Sequence, residues 1–126
     1  MAGYEAKSKY HTEQFLDHLS TGILVFDAQL KLVAINTAGE VLLGQSARLA
    51  RGKTPMELLA NGAQMADQLQ RAMASGDMIL NRGCRLELSQ SQVQRVNCTA
   101  TPLSGPEGTT GVIAELRTVD HHLRIE

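Results

Sequence analysis

The chain has no tryptophan, and its four aromatic side chains are Tyr4, Tyr10, Phe15 and Phe26. Three of them precede the first strand-like run, so little remains with which to stack a flat ring cofactor. Cysteine is scarce as well. Cys84 and Cys98 are too few for a disulfide scaffold, and neither belongs to a closely spaced pair of the kind that binds zinc. They read as buried thiols. No apolar run approaches the roughly 18 residues needed to cross a bilayer, and the start from Met1 to Lys7 lacks the apolar stretch of a signal peptide. A cytoplasmic protein without a membrane partner is expected. Charge of one sign is missing too. The net charge is −1 with acids and bases interspersed, which gives no electrostatic reason to bind nucleic acid.

What is present suits one domain. A chain of 126 residues, 43% apolar, can bury a single core but leaves no room for a second folded unit. Tyr10 to Leu19 has helical periodicity, with Phe15, Leu16 and Leu19 on one stripe and Glu13, Asp17 and His18 left for solvent. That stripe must lie on a sheet, on a second copy of itself, or on both. Gly22 to Asp27 is a short apolar β-type run that ends in a turn at Asp27. Leu30 to Ile35 forms a second strand, and Asn36 offers a side-chain acceptor to open a helix from Thr37. Thr37 and Glu40 can form a capping box of their own.

Gln45 to Gly52 reads as a helical turn and loop. Thr54, Pro55 and Glu57 then start a short helix, with threonine as cap, proline at the first position and glutamate closing a capping box. From Ala63 to Ser75 the apolar Met65, Leu69, Ala72 and Met73 share one face, and Asp67, Gln68 and Arg71 share the other. The remainder alternates as β structure. Cys84, Leu86 and Leu88 point one way, as do Val96, Cys98 and Ala100 on the next strand. If Gln90 to Gln92 is the loop of their hairpin, Leu86 lies opposite Val96 and Cys84 opposite Cys98. A turn over Gly105 to Gly108 leads to a last strand whose Val112, Ala114 and Leu116 share a face, with Glu115 turned away. The class is α+β, an antiparallel sheet with helices on one face.

The order of strand, turn, strand and helix over Gly22 to Gly44 resembles the opening of a PAS domain. Leu16 to Asp27, Leu32 to Asn36, Leu42 to Arg48, Met56 to Leu59, and Gly111 to Leu116 running into Asp120 to Glu126 together resemble the N-terminal sensor domain of the NtrB family of nitrogen-regulation histidine kinases. The resemblance implies a five-stranded PAS sheet with its first strand in the middle and an extra N-terminal helix. Its implied divisions are a helical extension over 1–21, the PAS domain over 22–119, and the start of a signalling helix or linker over 120–126. It further implies a homodimer and a kinase attached in cis. An NtrC-like response regulator and a PII-like protein are the partners implied for the intact protein. Thr37 departs from the pattern, since many PAS domains have proline there.

No catalytic set can be assembled. The kinase histidine box and nucleotide-lid patterns are absent, so no catalytic activity is expected of these residues. A haem or metal site would need a histidine facing the pocket, but His11, His18, His121 and His122 all lie outside the long helix, and no metal or cofactor is expected. Asp27 and Asn36 are turn and cap residues. A flavin-type cysteine motif is lacking, because both cysteines are in strands. Ala66, Leu69, Met73, Cys98, Ala100 and Ala114 are small or flexible inward positions that would line any ligand pocket. A small-molecule or redox receptor is the alternative to a signalling and dimerising module. Phe15, Leu16 and Leu19 are the expected dimer contact, and Val119, Asp120 and Leu123 the expected output. One residue inserted after Val119 turns everything downstream by about 100° on an ideal helix. In a full-length kinase that insertion is expected to lock or abolish regulated autophosphorylation; unaltered regulation would make the segment a loose tether.

Overall fold

Asp27 shows how local chemistry starts the fold. The computed structural model describes residues 21–88 and 92–119, beginning with strand β1, Gly22–Asp27. The Asp27 carboxylate accepts the N–H groups of Gln29 and Lys31, each at 2.9 Å, and its carbonyl accepts that of Leu30. This clamp holds Leu30 at φ 63°, a left-handed conformation rare outside glycine, and buries its side chain. The chain then reverses into β2, Leu32–Ile35.

Four helices follow. Asn36 caps α1, Thr37–Leu43, through a 2.8 Å bond from the Gly39 N–H to its side chain. The expected box between Thr37 and Glu40 gives way to this cap, and the Glu40 carboxylate instead accepts the Ala47 N–H at the start of α2, Ala47–Ala50. In α3, Pro55–Leu58, the capping box of Thr54 and Glu57 is present as expected. Helix α4, Gly62–Ser75, starts so close to α3 that a Cβ on Gly62 would stand 2.0 Å from the Pro55 carbonyl oxygen. Only glycine permits that approach.

The last three strands are β3, Ile79–Glu87; β4, Val93–Gly105; and β5, Gly108–Thr118. All pairings are antiparallel, in the order β2-β1-β5-β4-β3. The α+β sandwich is as expected, but β5 rather than the first strand takes the middle. The hairpin register is also corrected. Cys84 faces Val96 and Leu86 faces Gln94, while a bulge between Asn81 and Cys84 sets Cys98 opposite Asn81. A two-residue slip leaves every side chain on its original face, so alternation could not distinguish the registers. Gly83, at φ 65°, takes the left-handed turn that the bulge requires.

One sheet face meets the helices. Leu24, Phe26, Val112, Ala114 and Leu116 pack beneath Leu69 and Ala72 in a single core. No described element covers the other face. The helix expected over Tyr10 to Leu19 lies outside the described residues.

Asn36 ties these parts together. Its side-chain oxygen accepts the Ile23 N–H as well as that of Gly39, its amide donates to the Thr21 carbonyl at 2.9 Å, and it is 6% exposed. Replacement by alanine leaves one buried and one part-buried N–H group without that acceptor, at about 1–3 kcal/mol each when unmet. Asn36→Ala is therefore expected to lower the urea midpoint by the equivalent of about 3 kcal/mol. Asn36→Asp, which keeps the acceptor, should lose less than half as much; equal losses would show that the acceptor is not what matters.

Candidate functional site

Gln68 was placed by periodicity on the polar face of its helix, yet it is 2% exposed. Its amide donates to the carbonyls of Ile79 at 2.9 Å and Cys98 at 3.0 Å, which ties α4 to β3 and β4 and meets the cost of its burial. Asn61, just before α4, donates to the Arg85 carbonyl and accepts the Glu87 N–H, both at 2.9 Å. These two amides prop the helix above the sheet. Beneath them is a cleft of about 40 Å³, lined among others by Met65, Leu86, Cys84 and Cys98.

That volume holds a few waters rather than a large ligand, since one water needs about 10–15 Å³ on this scale and ligand pockets run to about 300 Å³ or more. Of the six positions expected to line a pocket, Cys98 reaches the cleft. Leu69, Ala100 and Ala114 are closed into the core, and Ala66 and Met73 are half-buried against it. The smaller side chains are answered by tighter packing, not by space. Among the cleft residues missed by sequence reasoning are the amides Asn61, Gln64, Gln68 and Asn81. A glutamine among polar neighbours on a helix gave no signal that strand carbonyls would wait opposite it.

Burial pushes the Cys98 thiol up to about 12, with the neighbouring Cys84 adding to the rise and a hydrogen bond with Gln68 opposing it. Burial also raises Cys84, which is half-buried. Both are free thiols. Neither is a thiolate near neutral pH, so neither is poised as a nucleophile. Among the described residues no group of three or more His, Cys, Asp or Glu is placed to hold a metal.

Phe15, Leu16, Leu19, Asp120 and Leu123 lie outside the described residues. Val119 is half-buried, and its N–H donates to the Arg95 carbonyl at 3.0 Å, so the chain remains bonded to β4 as it leaves β5.

The family model of the PAS fold matches residues 16–121. The chain belongs to the PAS family. A PAS domain by itself is a sensory module rather than a catalyst, which accords with a cleft of amides and protonated thiols. Solved structures share this PAS architecture at low identity. The PAS domain of a protein from Colwellia psychrerythraea is 18% identical with a TM-score of 0.74, covering 87% of this chain and 95% of that one. The PAS domain of nitrogen regulation protein NR(II) from Vibrio parahaemolyticus is 20% identical with a TM-score of 0.69, covering 86% and 97%. The Vibrio cholerae VqmA dimer, a LuxR-type receptor, is 18% identical with a TM-score of 0.75, covering 90% of this chain and 52% of that one. No curated protein sequence matches the chain. No described helix of this PAS domain is long and apolar enough to cross a membrane.

The thiol geometry predicts a pH dependence. An unfolded Cys98 ionises near 9.0 and the folded one near 12, so its contribution to stability is full below pH 9 and is lost as pH rises toward 12, by at most about 1.4 kcal/mol per pH unit. Urea midpoints measured from pH 8 to about 11 should fall less steeply for Cys98→Ala than for the wild type. Identical slopes would place the thiol in water, as would rapid labelling of both cysteines without denaturant.

Proposed function

We propose that this PAS domain is the sensory and dimerisation module of a cytoplasmic two-component histidine kinase of the NtrB type, which acts on transcription through an NtrC-like response regulator under a PII-like protein. The observation that carries the reading is the sheet face that no described element covers. Ala34 of β2 pairs with Val25 of β1 and Val25 with Ile113 of β5, forming an apolar row across three strands that ends on Thr101 of β4. Apolar rows of this kind on an open sheet mark contact surfaces. The stripe Phe15, Leu16 and Leu19 immediately precedes β1 and supplies the apolar side chains to complete such a contact between two copies. The sequence resemblance over 16–126 and the likeness to the NR(II) PAS domain support the kinase context.

A second reading has an observation of its own. The cleft beside Cys84 and Cys98 suits a receptor for a very small ligand, and VqmA, a structural neighbour with a TM-score of 0.73 at 18% identity, has been solved bound to DPO.

A native mass spectrum separates the two, because it reports oligomer mass and any retained small molecule together. A homodimer without added mass is expected. Sedimentation of Ile113→Lys, and of Leu16→Gln with Leu19→Gln, should shift each toward the monomer while the far-ultraviolet spectrum is unchanged. A wild-type monomer, or a monomer carrying a ligand, would replace the dimer reading with the receptor.

A further inference from the structure

The sheet face that no described element covers has a second half, and it is basic. Arg82, Arg85, Arg95 and Arg117 are all exposed on the β3, β4 and β5 side. Arg85 and Arg95 stand directly opposite each other, and Arg117 stands opposite Asn97. The bulge brings in the fourth. The Gly83 N–H donates to the Asn97 side chain at 2.9 Å, and Arg95 donates to the Gly83 carbonyl at 3.0 Å, so Arg82 is held beside both. Arg82 and Arg117 flank one shallow groove with Asn97, Thr99 and Glu115 in its floor.

Like charges directly opposed across a strand pair work against folding. Arg85 has Glu87 at 3.6 Å; Arg82, Arg95 and Arg117 have no ion-pair partner among the described residues. The described residues therefore bear a cluster of guanidinium groups of which three have no ion pair among them. A second copy is a poor match for it. In a face-to-face two-fold contact, arginines near the axis meet their own counterparts, and those far from it meet the apolar row. A dimer through Val25 and Ile113 leaves the basic half free. Nucleic acid is also a poor match, because Glu87 and Glu115 interrupt the charge and, among the described residues, no aromatic side chain on this face offers a surface for base stacking.

The spacing suits carboxylates on a helix. Arg82 and Arg117 are two strands apart, about 10 Å at ordinary strand spacing, which matches side chains seven apart on a helix at about 1.5 Å per residue. The Arg85 and Arg95 pair, one strand apart, matches neighbours three or four apart on the same helix face. We propose that this arginine patch docks a carboxylate-rich helix of a partner protein, laid across β3, β4 and β5, with bidentate guanidinium contacts fixing its register. The site stands apart from the dimer surface and does not depend on which kinase or receptor carries the domain.

The probe is a fluorescein-labelled synthetic helix with glutamate at successive i, i+4 and i+7 positions, compared with the same peptide carrying glutamine there, and with a labelled oligothymidylate. Anisotropy should show saturable binding of the glutamate peptide alone, weakening with added salt. Changing Arg82→Glu and Arg117→Glu together should weaken it at least about tenfold, whereas Arg48→Glu with Arg51→Glu, on the helical side, should change it less than about twofold. Arg82→Gln with Arg117→Gln should give the same ordering with smaller amplitude, and this pair decides the matter if the reversed charges disturb folding. Equal binding of the glutamate and glutamine peptides, equal losses in the two sets of variants, or tighter binding of oligothymidylate would each overturn the proposal.

Discussion

Asn36 is the residue on which the helical layer and the sheet agree. Its side chain accepts from Ile23 and Gly39 and donates to Thr21, while its own backbone N–H donates to the Ile23 carbonyl and its carbonyl accepts the Glu40 N–H. One buried amide thus closes the last rung between β1 and β2, caps α1, and fixes where the chain enters the sheet. The three tasks are inseparable because the same oxygen serves strand and helix. A glycine at position 39 lets the helix start come close enough, since a Cβ there would sit 2.7 Å from Ile35.

A second set of amides does the same at the other side of the domain. Gln68 and Asn61 spend their donors on strand carbonyls, so the helix that roofs the cleft is held by hydrogen bonds as well as by Met65, Leu69 and Ala72. With Gln68 buried and Asn61 half-buried, these bonded groups specify one arrangement of helix on sheet, because a slide would cost them their strand partners. The cost is a cleft with little empty volume, walled by two thiols whose burial disfavours ionisation.

The two faces of the sheet divide the work. The inner face is committed to the core, and the outer face carries an apolar row over β2, β1 and β5 and a basic cluster toward β3. Strand β5 contributes to all three regions: Val112, Ala114 and Leu116 inward, Ile113 in the apolar row, and Arg117 in the basic cluster. Its central position joins both faces to the segment that ends at Val119, which is still bonded to β4 where the described chain ends.

By itself the sequence determined the kinds of element and their order. Period-two and helical periodicities, the Asp27 turn, the Asn36 cap and the box at Thr54 and Glu57 are written within short segments, where backbone preference and side-chain hydrogen bonds act between near neighbours. The PAS outline was legible for that reason, through the residues between Gly22 and Gly44. Tertiary structure alone decided the central place of β5, the pairing of Cys84 with Val96, and the burial of Gln68. Each depends on partners from distant segments, and a slip by two residues or an amide on a helix leaves the local pattern unchanged. The gathering of Arg82, Arg85, Arg95 and Arg117 has the same origin. In a chain of net charge −1 they look interspersed with acids; only antiparallel pairing and the bulge at Gly83 set them side by side, because charge density is a property of a surface and not of a sequence.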